Sequence, residues 1–140
     1  MGTTFFRPQN GLVFLRVLIW GPTGHTREAR LVLDTGTART MLAEPMAHAL
    51  GLTPDRAVRR SRVSSVVGPE LGYMVPVRRI RALGWERLDF AVACHRFAEG
   101  CNMDGLLGAD FFAGLRLIID YAVGRVDLIR IPSDDPTDRS

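Results

Sequence analysis

Lysine is absent from this 140-residue chain, and all 18 of its basic residues are arginine. A phosphate-binding loop of the Gly-rich type requires a lysine to reach the phosphates. Gly21-Pro22-Thr23-Gly24 therefore reads as a turn, and nucleotide binding through such a loop is excluded. Cysteine is scarce: Cys94 and Cys101 are the two, seven positions apart. That number and spacing do not make the disulfide framework of a small secreted domain, so reduced thiols in a cytoplasmic protein are expected. Cys94-His95 with Cys101 would supply half of a zinc site, but a second ligand pair is missing and His25 and His48 lie far away in sequence. No metal and no cofactor are expected. A thiol nucleophile activated by His95 is disfavoured, because adjacent residues of a strand point to opposite faces. No run approaches the roughly 20 apolar residues of a membrane span, and the opening residues lack the order of a signal peptide, so no membrane partner is expected. Few aromatics lie among the arginine clusters at Arg59, Arg60, Arg62 and at Arg78, Arg79, Arg81. The formal charge of +3 then reads as solvated strand faces rather than a nucleic-acid surface, and no nucleic-acid partner is expected.

What the chain does have is apolar sequence, 46% of the total. That suffices for one core and is too short for two ordinary domains. One domain over 1–131 is expected, followed by a tail, 132–140, whose aspartates and prolines favour disorder. Leu12 to Trp20 and Ala29 to Leu33 are apolar runs on either side of a Gly/Pro break, a hairpin signature. Pro45 near the start and Gly51 at the end bracket a helix over Ala43 to Leu52, with Leu42, Met46 and Leu50 four apart. Val58 to Val67 and Tyr73 to Leu83 read as strands joined by a turn at Gly68, Pro69 and Gly72. Leu88 to Cys94 is again strand-like. Asp110 to Ala113 suggests a helical turn with Asp110 as its N-cap. Leu115 to Tyr121 pairs with Arg125 to Ile131, with Asp120 opening the last turn. Many short strands with glycine or proline punctuation describe an all-β fold closed as a barrel, with one or two short helices.

The informative element is Leu31-Val32-Leu33-Asp34-Thr35-Gly36-Thr37, in which an apolar strand delivers a carboxylate to a sharp turn. The strand anchors the aspartate, and Gly36 lets backbone approach its carboxylate closely. The Thr35 hydroxyl could bond to whatever holds the turn, and a Thr37 hydroxyl beside the carboxylate would favour its ionised form. An isolated Asp-Thr-Gly is equally an ordinary strand-end turn. About 70 residues downstream lies Asp104-Gly105-Leu106-Leu107-Gly108-Ala109-Asp110, where two apolar residues precede a glycine.

With these two elements in this order the sequence resembles the retropepsin-like aspartic peptidases, in particular the small single-domain bacterial type. The resemblance runs from about Leu12 to Ile131. It implies an acid-protease-like closed barrel in which Asp34 is catalytic, Thr35, Gly36 and Thr37 support its loop, and Leu106, Leu107 and Gly108 form the strand beside it. It implies a substrate-binding flap hairpin with Val66, Val67 and Gly68 at its tip. Pro69 and Glu70 match that flap by position rather than by pattern, and Ala109 stands where retroviral members often carry arginine. The activity implied is aspartic endopeptidase cleavage of a peptide or protein substrate. With one Asp-Thr-Gly per chain, the second carboxylate must come from another copy, which makes a homodimer. The alternative is a catalytically silent peptide-binding or assembly module on the same fold.

Overall fold

The structure, a computed structural model, describes residues 2–65, 68–98 and 102–132, with backbone alone at 63–65 and 68–70. Two apolar runs open the main sheet. In β2 (Phe14–Trp20) every second residue, Leu15, Val17 and Ile19, is buried, and in β3 (Thr26–Leu33) Ala29 and Leu31 are. The two pair antiparallel with Val17 opposite Ala29 and Leu15 opposite Leu31, so one face of the hairpin turns inward as the alternation requires.

Next come the short strand β4 (Met41–Ala43), helix α1 (Glu44–Ala49), β5 (Arg59–Ser65), β6 (Gly68–Ala82), β7 (Trp85–His95), β8 (Gly105–Leu107) and helix α2 (Ala109–Phe112). Hydrogen bonding follows the order β2-β3-β8-β4-β7-β6, and a further β2–β6 pairing, Ile19 opposite Ile80, closes these six strands into a barrel. Among the described residues β5 pairs with β6 alone, as a hairpin outside the barrel. A smaller antiparallel sheet joins β1 (Gly2–Phe5), β10 (Arg125–Ile129) and β9 (Arg116–Asp120). It turns Val126 and Leu128 into the same core as Leu31, Leu42, Ile80, Leu107 and Phe111. Each such side chain contributes on the order of 1.5–3 kcal/mol by leaving water.

The all-β barrel with two short helices agrees with the expectation, as do the β2–β3 hairpin, the closing β9–β10 hairpin and the turn at Asp120. There the Asp120 carboxylate accepts from the amides of Ala122 and Val123. The helix is shorter than the bracket Ala43 to Leu52, because Leu50 caps it and Gly51 reverses the chain at φ 76°. The arginines of both clusters are exposed. Two expectations are corrected. The turn after β5 does not lie at Gly68, Pro69 and Gly72: Gly68 to Gly72 are already strand, facing Ser65 to Ser61. Over that stretch β6 has a neighbour on one side only, where a proline is tolerated. Asp110 is not an N-cap; Gly108 holds that position and Asp110 lies inside α2. β1 and β4 were not anticipated, since three or four residues carry too little periodicity to read. Val66, Val67, Cys101 and the tail from 133 to 140 lie outside the described residues.

Candidate active site

Asp34 leaves β3 at the point where two flanking strands diverge around a third. β8 is inserted between β3, to which it runs parallel with Leu33 beside Leu107, and β4, to which it runs antiparallel with Leu42 beside Gly105. The chain must therefore pass over the end of β8 to travel from β3 to β4, and residues 34–40 are that passage. The Asp34 amide donates to the Leu107 carbonyl at 3.0 Å, so the supporting strand holds the aspartate at its backbone.

The turn is closed locally. The Gly36 amide donates to Asp34 Oδ1 at 3.0 Å and the Thr37 amide to the Asp34 carbonyl at 3.3 Å. A Cβ on residue 36 would stand 3.1 Å from that carboxylate oxygen, so glycine fits the close approach. Asp34 is half-buried, and Thr35 and Gly36 are exposed, so the loop presents its tip outward. The hydroxyl at position 37 does not act as expected: it donates to the Arg39 carbonyl at 3.3 Å rather than to the Asp34 carboxylate. Among the described residues the Thr35 hydroxyl has no partner within the chain.

Gly108 sits directly beneath the passage. A side chain there would meet the Arg39 carbonyl group at 2.6 Å and the Thr40 amide nitrogen at 2.9 Å, so only glycine lets the loop lie on β8. The start of α2 then grips the loop. Its Ala109 amide donates to the Thr37 carbonyl at 2.9 Å and its Asp110 amide to the Ala38 carbonyl at 3.2 Å.

The strongest attachment was not read from the sequence. Thr40, fully buried, donates its amide to the two Asp110 carboxylate oxygens at 2.9 and 3.0 Å and its hydroxyl to Oδ1 at 2.8 Å. The same hydroxyl accepts the Gly108 amide at 3.1 Å. Asp104 plays a similar part at the other end of β8. Its carboxylate accepts the Arg30 amide at 2.8 Å, its own amide donates to the Arg30 carbonyl, and its carbonyl accepts the Ala43 amide. A threonine six residues beyond Asp34 and an aspartate two beyond Gly108 give no local signal, because their partnership exists only once β8 has been inserted.

Asp110 is thus occupied with a backbone amide and a hydroxyl and Asp104 with the Arg30 amide across the sheet, whereas the Asp34 carboxylate accepts the Gly36 amide of its own turn, beside the exposed tip at Thr35 and Gly36. Cys94 and His95, weighed as a nucleophile pair, do point apart: Cys94 packs into the main core, and the His95 ring lies against Ser61 on β5. Burial pushes the Cys94 thiol up to about 12, which keeps it neutral and a poor nucleophile. Of the flap residues read from the sequence, Gly68 opens β6 opposite Ser65, while Val66 and Val67 lie outside the described residues.

The family model described as "Aspartyl protease" matches residues 19–111 of this chain, a stretch that contains β3, the 34–40 passage, the β5–β6 hairpin and β8. Among solved structures, a retropepsin-like aspartic protease from Rickettsia conorii superposes with a TM-score of 0.67 at 14% sequence identity, covering 92% of this chain and 99% of that one. The fold is therefore retropepsin-like. No curated protein matches the sequence.

Proposed function

Since the chain belongs to the aspartyl protease family, we propose that it is an aspartic endopeptidase in which Asp34 from each of two copies activates water. The observation that carries this reading is a half-buried carboxylate at the end of a barrel strand, oriented by the Gly36 amide at 3.0 Å in a loop whose tip, Thr35 and Gly36, is exposed. Peptide hydrolysis needs one carboxylate to take a proton from water as its oxygen attacks the carbonyl carbon. A second must give a proton to the carbonyl oxygen. The amide nitrogen then receives a proton as the C–N bond breaks, without a covalent intermediate. Two close carboxylates share one proton because both cannot remain ionised, and that division separates base from acid.

The sequence carries one Asp-Thr-Gly, so a single chain supplies one such carboxylate. Asp104 and Asp110 are tied to Arg30 and Thr40 respectively, which leaves Asp34 to find its counterpart across a two-fold axis. The outward tip at Thr35 and Gly36 suits such an approach. The β5–β6 hairpin would close over an extended peptide bound by strand addition, with side-chain pockets providing specificity.

The test is cleavage of a mixed peptide library between about pH 4 and pH 7, the acidic range in which shared-proton pairs work, alongside sedimentation to establish the oligomeric state. Wild type should cut as a dimer, and Asp34→Asn should keep the dimer and the fold while losing cleavage by a factor of 10³ or more, on the order expected for an essential acid–base group. A folded dimer that cuts nothing would defeat the enzyme reading.

A further inference from the structure

Ser61, Gly72 and His95 stand side by side on three strands. Ser61 on β5 faces Gly72 on β6, and His95 on β7 follows Cys94, the partner of Tyr73. The His95 ring is 2% exposed and reaches across Gly72 to place Nε2 at 2.9 Å from Ser61 Oγ. A Cβ on Gly72 would stand 2.6 Å from the ring's Cε1 and 2.7 Å from its Nδ1, and would also strike the Cys94 carbonyl oxygen. The glycine is what lets a side chain of the third strand touch the first.

The row falls where β6 changes its surroundings. At Tyr73 and Met74 β6 lies between β5 and β7, whereas from Gly68 to Gly72 its described pairing is with β5. Leu71, one residue past the row, is 70% exposed. It borders a groove of about 480 Å³ with Pro54, Val58 and Tyr73 on one side and one of about 470 Å³ with Glu44, His95 and Phe97 on the other. Beyond the row the described backbone of the hairpin pairs with no third strand. Among the described residues β5 pairs with no barrel strand other than β6, so the Ser61–His95 bond ties a β5 side chain to the barrel at the root of the arm.

We propose that this bond is a latch at the hinge of the hairpin, and that Ser61 and His95 are positioning residues that set the angle of the β5–β6 arm to the barrel carrying Asp34. The catalytic part of this inference rests on the endopeptidase reading above; the mechanical part does not. Without the bond the arm would pivot about the Gly72 row, and the bound state would have to order it anew.

Hydrogen exchange of the full chain, read by mass spectrometry, tests the mechanical part. Ser61→Ala should speed exchange of amides in 59–65 and 68–72 about five-fold, the effect of losing one net hydrogen bond, while β2 and β3 keep their protection. Ser61→Thr, which retains the hydroxyl, should restore the wild-type pattern. In peptide cleavage, Ser61→Ala should raise KM about five-fold with kcat changed by less than about two-fold, because the loss falls on binding rather than on the chemical step. Unchanged exchange in Ser61→Ala, or acceleration spread evenly over the barrel, overturns the latch. Faster exchange in the arm with an unchanged KM overturns the positioning role. If wild type cleaves no peptide, the peptidase reading fails with its own test, and the exchange pattern alone decides whether the latch exists.

Discussion

Replacing Thr40 with valine keeps the shape and removes one hydroxyl, and the hydroxyl has two partners. It donates to the Asp110 carboxylate at 2.8 Å, and it accepts the Gly108 amide at 3.1 Å. A hydrogen bond to a charged group is worth about 1.5–3 kcal/mol, and a buried amide left without an acceptor costs about 1–3 kcal/mol. The Thr40 amide still reaches Asp110, so the carboxylate is not stranded. A loss of about 3 kcal/mol follows from taking values in the lower half of each range. With an unfolding entropy of about 2 cal/mol/K per residue, that loss lowers the melting temperature of a 140-residue chain by roughly 10 °C. Urea and thermal unfolding give the two numbers independently. Thr40→Ser, which keeps the hydroxyl, should lose no more than about 1 kcal/mol, the value of one methyl group. Because Thr40 ends the passage that begins at Asp34, peptide cleavage should fall in Thr40→Val even well below its melting temperature. A stability loss under about 1 kcal/mol would refute the claim that this network anchors the loop.

Gly108→Ala places a methyl group within 2.6 Å of the Arg39 backbone, and should cost about 2 kcal/mol or more by forcing the loop off β8; a melt indistinguishable from wild type would show that the loop can move aside without strain. Cys94, tested in a Cys101→Ser background, should resist iodoacetamide at pH 8 while the protein is folded and react once it is unfolded, since burial holds its thiol neutral. The same shift has a thermodynamic sign. The folded thiol keeps its proton to about 12 against an ordinary 9.0, so its contribution to stability is complete below about pH 9 and disappears as pH rises toward 12. Cys94→Ala should flatten that alkaline decline, and a decline identical to wild type would assign it to other groups.

Much of this molecule is written locally. The alternation of Leu15, Val17 and Ile19, the Gly/Pro break after Trp20 and the turn at Asp120 each depend on neighbours within a few residues, which is why the hairpins were legible. So were the two halves of the candidate site, Leu31 to Gly36 and Leu106 to Gly108, because an apolar strand running into a turn carries a pattern of its own. Asp110 was misread for the same reason. An aspartate at the start of a short helix satisfies the local rule for a cap, and nothing nearby in sequence reveals that Thr40 will compete for its carboxylate. Thr37 repeats the lesson, since its hydroxyl turns to the Arg39 carbonyl once the passage bends over Gly108.

The amino-acid sequence by itself determined that a carboxylate would stand at the end of a buried strand, that a second apolar segment would support it, and that one chain would bring one such motif. Tertiary structure decided how that carboxylate is held. Inserting β8 between β3 and β4 brought Asp34 to Leu107, Thr40 to Asp110 and Asp104 to Arg30, contacts between residues about 70 positions apart. The row of Ser61, Gly72 and His95 arose in the same way, from the register of three strands. Such contacts have no periodicity and no local composition to announce them; they exist because closing a barrel forces particular residues into the same few ångströms.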